Sequence, residues 1–172
     1  MLVTRAIVLE KAKKIKWVFT DCDGVLTDSG IFYSSNGDEL KRFSIRDGMG
    51  VERLRKICNI ETGIITGEFS IPVKKRAKKL EIKELHLDIK NKLKCMKEIT
   101  ERLNLRFDEI AYIGDDVNDH DLLKVAGLSC SPSDAFSEIK EIVDYITPSP
   151  GGNGAFRDLC ELIIYAKQST YS

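Results

Sequence analysis

The stretch Ile15-Lys16-Trp17-Val18-Phe19-Thr20-Asp21-Cys22-Asp23-Gly24-Val25-Leu26-Thr27-Asp28 decides how the rest of this chain is read. From Ile15 to Thr20 it is mostly β-formers, and it then ends abruptly in acid. This predicts a short buried strand whose C-terminal end delivers two carboxylates. Side chains at i and i+2 after a strand lean to the same side, so Asp21 and Asp23 can divide a reaction between them. One carboxylate can attack while the other handles a proton. Alone, Asp-x-Asp-Gly is more often a turn or a helix cap, so the rest of the chain has to decide.

Upstream, Leu2 to Lys14 predicts an amphipathic helix with Leu2, Ile7 and Val8 apolar and Lys11, Lys13 and Lys14 solvated. Downstream, Gly30 to Ser44 predicts a hairpin around Asn36-Gly37. The chain then alternates. Helical spacing over Gly48 to Lys56 gives way to a strand at Glu61 to Thr66, and Ser70 to Leu80 is a basic helix with Pro72 in its first turn. Glu84 to Leu87 is a strand, Lys90 to Leu103 a helix, Ile110 to Gly114 a strand and Asn118 to Val125 a helix. Leu128 to Cys130, Ala135 to Ile142, Tyr145 to Ile146 and Ala155 to Ala166 continue the pattern. Single helices between strands argue an α/β fold, a doubly wound parallel sheet with helices on both faces. Right-handed crossovers then line the strand C-terminal ends along one edge, where such sheets bind ligands.

At 172 residues the chain suits one domain. It can bury roughly 70% of the surface exposed when unfolded, so it needs no disulfide or structural metal. Lys and Arg number 27 and Asp and Glu 27, which gives no global field toward nucleic acid or an anionic membrane. The run Lys74-Lys75-Arg76-Ala77-Lys78-Lys79 has no interleaved aromatic and reads as a solvated helix face, so no nucleic-acid partner is expected. Near the N-terminus the longest uncharged run, Ala6 to Leu9, is too short for a signal sequence or a membrane span. Cys22, Cys58, Cys95, Cys130 and Cys160 are odd in number and without C-x-x-C, which predicts reduced thiols in a cytoplasmic chain. His86 and His120 lack partners at metal spacing, so no zinc site is expected. Gly151-Gly152-Asn153-Gly154 lacks the strand-to-helix context of a dinucleotide loop.

Three strand ends are polar in a way a core does not explain: Asp21-Cys22-Asp23-Gly24, Thr66-Gly67 and Gly114-Asp115-Asp116. Lys92, at a helix start, is a fourth polar candidate for the same edge. Acids brought together there repel and raise one another's pKa unless a cation joins them. Mg²⁺ suits such a site, because it takes one or two carboxylates, several waters and phosphate oxygens. Thr66 can then hydrogen-bond a transferring phosphoryl group, and Lys92 can neutralise its charge.

In this order the four segments resemble the haloacid dehalogenase superfamily of aspartyl-phosphate phosphotransferases. Asp21 to Asp28 looks like its first motif, Thr66 its second, Lys92 its third and Gly114-Asp115-Asp116-x-Asn118-Asp119 its fourth. Phe43 to Gly50 and Gly151 to Arg157 look like further blocks of one branch, the 3-deoxy-D-manno-octulosonate 8-phosphate phosphatases and the related nonulosonate 9-phosphate phosphatases.

The resemblance implies a Rossmann-like core and Mg²⁺. It makes Asp21 the nucleophile, and Asp23 the acid and then base, with its backbone carbonyl on the metal. Asp115 becomes the third metal ligand, with Asp116 and Asp119 standing behind the ligands, and Thr66, Gly67 and Lys92 hold the phosphoryl oxygens. Arg46 and Arg157 are candidates for a sugar-acid carboxylate. Glu68 stands where the octulosonate enzymes favour Arg, which leaves the choice between the two sugar-acid phosphates open.

Superfamily members usually carry a cap domain after the first motif or between the second and third, and here neither interval has room for one. A hairpin over about residues 30–44 in a single domain, 1–172, is therefore expected to help close a neighbour's site in a homo-oligomer, and the resemblance to this branch implies a homotetramer. Two other classes fit some of these residues. A phosphorelay receiver domain is disfavoured because Lys92 precedes Gly114-Asp115-Asp116. A catalytically quiet oligomerisation domain beside a sugar-nucleotide synthetase is the other alternative.

Overall fold

The expected first strand forms as β1 (Trp17–Thr20), with Val18, Phe19 and Thr20 buried. In this computed structural model, which describes residues 4–37 and 39–169, β1 pairs in parallel with β4 (Glu61–Ile65) on one side and β6 (Ile110–Ile113) on the other. With β5 (Glu84–His86), β7 (Leu128–Ser131) and β8 (Tyr145–Ile146) the sheet runs β5-β4-β1-β6-β7-β8, parallel throughout. The chain fills one side of β1 before crossing to the other. Strand order therefore reverses at β1, the place where open α/β sheets bind ligands.

Successive side chains of β1 point to opposite faces and so into two different cores. Val18 packs with residues of α1 (Arg5–Lys14), α2 (Ile45–Cys58), α3 (Ile71–Lys79) and α7 (Ala155–Gln168), among them Val8, Leu54, Val73 and Ile163. Phe19 packs with Met96 and Ile99 of α4 (Lys92–Leu103), Leu122 and Leu123 of α5 (His120–Leu123) and Ile139 of α6 (Ser137–Ile142). Each of these fully buried apolar side chains contributes roughly 1.5–3 kcal/mol before the entropy of ordering is set against it.

Several boundaries differ from the sequence expectation for local reasons. Helix α2 starts at Ile45 rather than Gly48, because the Ser44 hydroxyl accepts from the backbone N–H of Arg46 and Asp47. In α1 it is Val8 and Ala12 that face the core while Ile7 is 51% exposed, so Ile7 does not belong to the buried stripe, and Leu2 lies outside the described residues. The helix expected over Asn118 to Val125 is a 3₁₀ turn, Val117–Asp119, followed by the four residues of α5. The N–H groups of Asp115 and Asp116 are claimed by the Asp119 carboxylate, which tightens this turn.

The hairpin pairs β2 (Phe32–Tyr33) with β3 (Glu39–Leu40), and Gly37 N–H donates to the Ser34 carbonyl across the turn. Asp38 of the expected Ser-Asn-Gly-Asp turn lies outside the described residues. Phe32, Tyr33 and Leu40 are 67%, 69% and 60% exposed. Asp47 is buried and accepts from the N–H groups of Gly154 and Arg157. It thereby caps α7, whose own cap residue, Gly154, has no side chain to do so.

Candidate active site

The carboxyl ends of β1 and β6 bring three acids together. Asp21 follows β1 and is fixed by its N–H, which donates to the Ile113 carbonyl at 3.0 Å. One oxygen each from Asp21, Asp115 and Asp119 lie within 4.8 Å of one another. Burial, then the charge of Asp119, pushes the Asp21 carboxyl up to about 7. Burial, then Asp21, Asp119 and Asp116, pushes Asp115 up to about 8. Both shifts report the same deficit, negative charge gathered in a dry site with too little positive charge to match.

Asp119 is already satisfied. Its Oδ1 accepts from Lys92 Nζ at 2.6 Å and from the Tyr112 hydroxyl at 2.5 Å. Its Oδ2 accepts from the N–H groups of Asp115 and Asp116 at 3.1 and 3.4 Å. A carboxylate has about four lone-pair sites, and all are used. Asp119 therefore organises the site and has no lone pair left to coordinate an ion. Asp115 is the opposite case, since its Oδ1 is buried and has no partner among the described residues.

An all-oxygen donor set with an orphaned buried carboxylate oxygen fits a hard divalent cation such as Mg²⁺. Gly24 makes the approach possible. Its φ is +90°, and a Cβ there would lie 1.9 Å from Asp115 Oδ2.

The buried ammonium beside Asp21 is placed by a helix start. Asn91 caps α4, and Lys92, the first residue of that helix, reaches Asp21 Oδ2 at 3.0 Å as well as Asp119. Burial pulls the Lys92 ammonium down, but Asp21 and Asp119 outweigh it and hold it above its usual value. Thr66, just past β4, is buried, and its hydroxyl accepts from Glu68 N–H at 3.4 Å. Its own proton has no acceptor among the described residues. Gly67 faces Asn118, whose Nδ2 would lie 4.0 Å from a Cβ placed there. The second and fourth motif segments therefore oppose each other across the crevice.

Asp23 sits in the turn after Asp21. Its Oδ1 accepts from the Thr27 hydroxyl at 3.1 Å and its Oδ2 from Lys41 Nζ at 2.5 Å. Asp116 is turned back on its own chain, where it caps the 3₁₀ turn through Val117 N–H. Cys22 points into the core as expected, and burial, then Asp23 and Asp21, push its thiol well above the usual range.

The remaining candidates are set apart by exposure or by other partners. Glu68 and Arg46 are exposed. Arg157 is committed within its own helix. Its Nε bonds Glu161 Oε1 at 2.6 Å, and Arg53 holds the same carboxylate from α2.

Two site residues were missed by the sequence reading. Tyr112 is a lone hydroxyl in an otherwise apolar parallel strand, and a buried Tyr hydroxyl needs a partner. Lys41 shares a strand face with Glu39, opposite the exposed Leu40, and that alternation was the available signal.

A family profile described as haloacid dehalogenase-like hydrolase matches residues 53–157. The 3-deoxy-D-manno-octulosonate 8-phosphate phosphatase KdsC of Salmonella typhi is 38% identical over 160 residues, covering 93% of this chain and 85% of that protein. The crystal structure of the Moraxella catarrhalis 3-deoxy-D-manno-octulosonate 8-phosphate phosphatase, in complex with magnesium, phosphate and KDO, superposes with a TM-score of 0.91 at 37% identity, covering 96% of this chain and 98% of that one. The Yersinia pestis phosphatase of the same name gives 0.92 at 34% identity, over 96% and 89%.

Proposed function

The chain belongs to the haloacid dehalogenase-like hydrolase family, and from that premise we propose that it is a Mg²⁺-dependent phosphatase of a keto-deoxy sugar-acid phosphate, with 3-deoxy-D-manno-octulosonate 8-phosphate as substrate. The observation that carries this is the convergence at the β1 and β6 ends of Asp21, the unpartnered Asp115 oxygen and the Lys92 ammonium, with Asp23 beside them. A relative of the same architecture holds magnesium, phosphate and KDO together.

Asp21 and Asp115, with the backbone carbonyl of Asp23, are the residues to hold Mg²⁺, which when bound neutralises phosphoryl charge that would otherwise repel Asp21. An Asp21 oxygen forms a bond to phosphorus as the bond from phosphorus to the sugar oxygen breaks, and Asp23 gives its proton to that oxygen. In the second half Asp23 takes a proton from water. The water oxygen bonds phosphorus, and the link to Asp21 breaks to release phosphate and restore the carboxylate. Lys92 keeps Asp21 oriented and holds a phosphoryl oxygen, while Thr66 donates its uncommitted hydroxyl proton to another.

A homotetramer fits the exposed apolar hairpin, because Phe32, Tyr33 and Leu40 offer an unpartnered surface to a second copy. The base of that hairpin reaches this chain's own Asp23 through Lys41, which leaves the tip to serve a neighbour. A cytoplasmic location fits the five free cysteines. Among the described residues no helix is long and apolar enough to cross a membrane.

The test is phosphate release with Mg²⁺ from octulosonate 8-phosphate and nonulosonate 9-phosphate side by side. The expected result is turnover of the octulosonate ester, lost by more than about 10³-fold in Asp21→Asn. Preference for the nonulosonate ester reassigns the substrate, and equal inactivity of wild type and Asp21→Asn on both overturns the reading. Sedimentation of Phe32→Ser/Tyr33→Ser against wild type tests the assembly, and an unchanged mass overturns the role given to the hairpin.

A further inference from the structure

Lys41 lies just past β3, on a hairpin whose neighbouring side chains are open to solvent, yet its own side chain is only 1% exposed. A buried ammonium is costly unless it is paired. Lys41 has two carboxylates: Asp23 at 2.5 Å and Glu39 at 3.2 Å. Glu39 in turn accepts from the Ser70 hydroxyl at 2.9 Å, and Ser70 is the N-cap of α3. A chain of polar contacts thus runs from α3 through the hairpin to Asp23. On the other side, the buried Thr27 hydroxyl holds the second Asp23 oxygen at 3.1 Å. The Asp23 carboxylate is pinned at both oxygens, by groups from two different segments. The hairpin has a separate anchor, since Arg42 grips Asp28 through two nitrogens at 3.0 and 2.8 Å. Lys41 is therefore not the only tie between hairpin and core.

We propose that Lys41 is a positioning residue that, with Thr27, fixes the Asp23 carboxyl in the orientation that delivers its proton to the departing oxygen, so that seating of the hairpin and departure of the leaving group are coupled. The proposal rests on the phosphatase reading above. In the step concerned, the Asp21–phosphorus bond forms, the bond from phosphorus to the leaving oxygen breaks, and the Asp23 proton moves to that oxygen. A misaligned Asp23 slows this step in proportion to how much the leaving oxygen needs the proton. Phenolate needs it far more than p-nitrophenolate, and the two aryl esters are nearly the same size. A lysine that merely fastened the hairpin would slow both equally.

The experiment measures kcat/KM for phenyl phosphate, p-nitrophenyl phosphate and octulosonate 8-phosphate with Mg²⁺, in wild type, Lys41→Met and Lys41→Arg. General acid catalysis contributes about 10²–10⁴-fold. Lys41→Met is accordingly expected to lower phenyl phosphate and the sugar ester by at least about tenfold, and p-nitrophenyl phosphate by less than about threefold. Lys41→Arg is expected to recover part of the difference. Where Lys41→Met does not fold, Lys41→Arg carries the test, with the same ordering and a smaller gap. An equal loss on both aryl esters, or no loss on either, overturns the proposal. Wild-type protein inactive on all three overturns the phosphatase reading itself.

Discussion

Removing the metal should make the protein's stability depend on pH in a direction opposite to that of most acidic side chains. In the metal-free fold the Asp21 carboxyl is pushed from 3.8 up to about 7, first by burial and then by Asp119. Above pH 4 the unfolded chain has released this proton and the folded chain has not. Folding therefore takes up a proton, and stability falls as pH rises, until the folded carboxyl has itself ionised near 7. Asp115, pushed up to about 8, adds to the fall in the same direction. Each pH unit between the two values corresponds to about 1.4 kcal/mol. From pH 5.5 to 8, Asp21 alone accounts for about 2 kcal/mol, or roughly 4–8 °C of melting temperature in a domain of this size.

The salt-bridged acids Asp28, Glu84 and Glu161 sit below their ordinary values and act with the opposite sign, but their window lies below pH 5. Mg²⁺ takes the place of the missing protons, so its stabilising effect should be small at pH 5.5 and larger at pH 8. The assay is a thermal melt at both pH values, in chelator and in saturating Mg²⁺, for wild type and Asp21→Asn. The chelator melting temperature should drop between pH 5.5 and 8, with a smaller drop in Asp21→Asn. A flat or rising chelator curve, or an equal Mg²⁺ shift at both pH values, would refute the account of the carboxylate cluster.

Three further outcomes follow from single contacts. Gly24→Ala would place a Cβ 1.9 Å from Asp115 Oδ2 at a φ of +90°. Activity should fall by at least about 100-fold, with a raised Mg²⁺ requirement in a metal titration of phosphate release. Asp47→Ala removes the cap that Gly154 and Arg157 use, and should cost about 1–2 kcal/mol, read as a lower melting temperature at near-normal Mg²⁺ dependence. Tyr112→Phe takes a donor from the fully buried Asp119 and should cost about 1–3 kcal/mol by chemical denaturation. A variant as stable as wild type would mean that Asp119 is satisfied without it.

What could be read from the sequence is what depends on local chain chemistry. The abrupt change from β-formers to acid at Thr20-Asp21, and from Ile113 to Gly114-Asp115, marks the strand ends, and the parallel fold puts such ends on one edge. The α2 start lies outside the apolar spacing because a serine cap sets it, and Ser44 stands ahead of the Gly48 to Lys56 stretch. Asp119 carried no sign of how completely it is used. Two of its four donors are side chains from Tyr112 and Lys92, which no spacing rule relates to it. Arg157 follows a glycine-rich turn and is a candidate for a sugar-acid carboxylate through the family resemblance. The turn belongs to the cap of α7, and the arginine pairs with a carboxylate one turn on in its own helix, Glu161. Alternation groups Lys41 with Glu39, but its reach to Asp23 depends on how the hairpin folds back, which is a tertiary fact.

The capping of α7 by Asp47 also bears on when this molecule becomes functional during synthesis. Gly154 and Asp47 are 107 residues apart. Gly152 donates to the Val25 carbonyl at 2.8 Å, so the turn that carries Asp23 leans on backbone made more than a hundred residues later. Contacts this distant in sequence close late, because the entropy of closing the loop comes before any reward. A nascent chain that already contains all four acids, Thr66 and Lys92 still lacks the support behind its nucleophile turn. Ribosome-bound chains arrested before α7 should therefore be open to protease around Val25, and they should become resistant once that helix has left the exit tunnel.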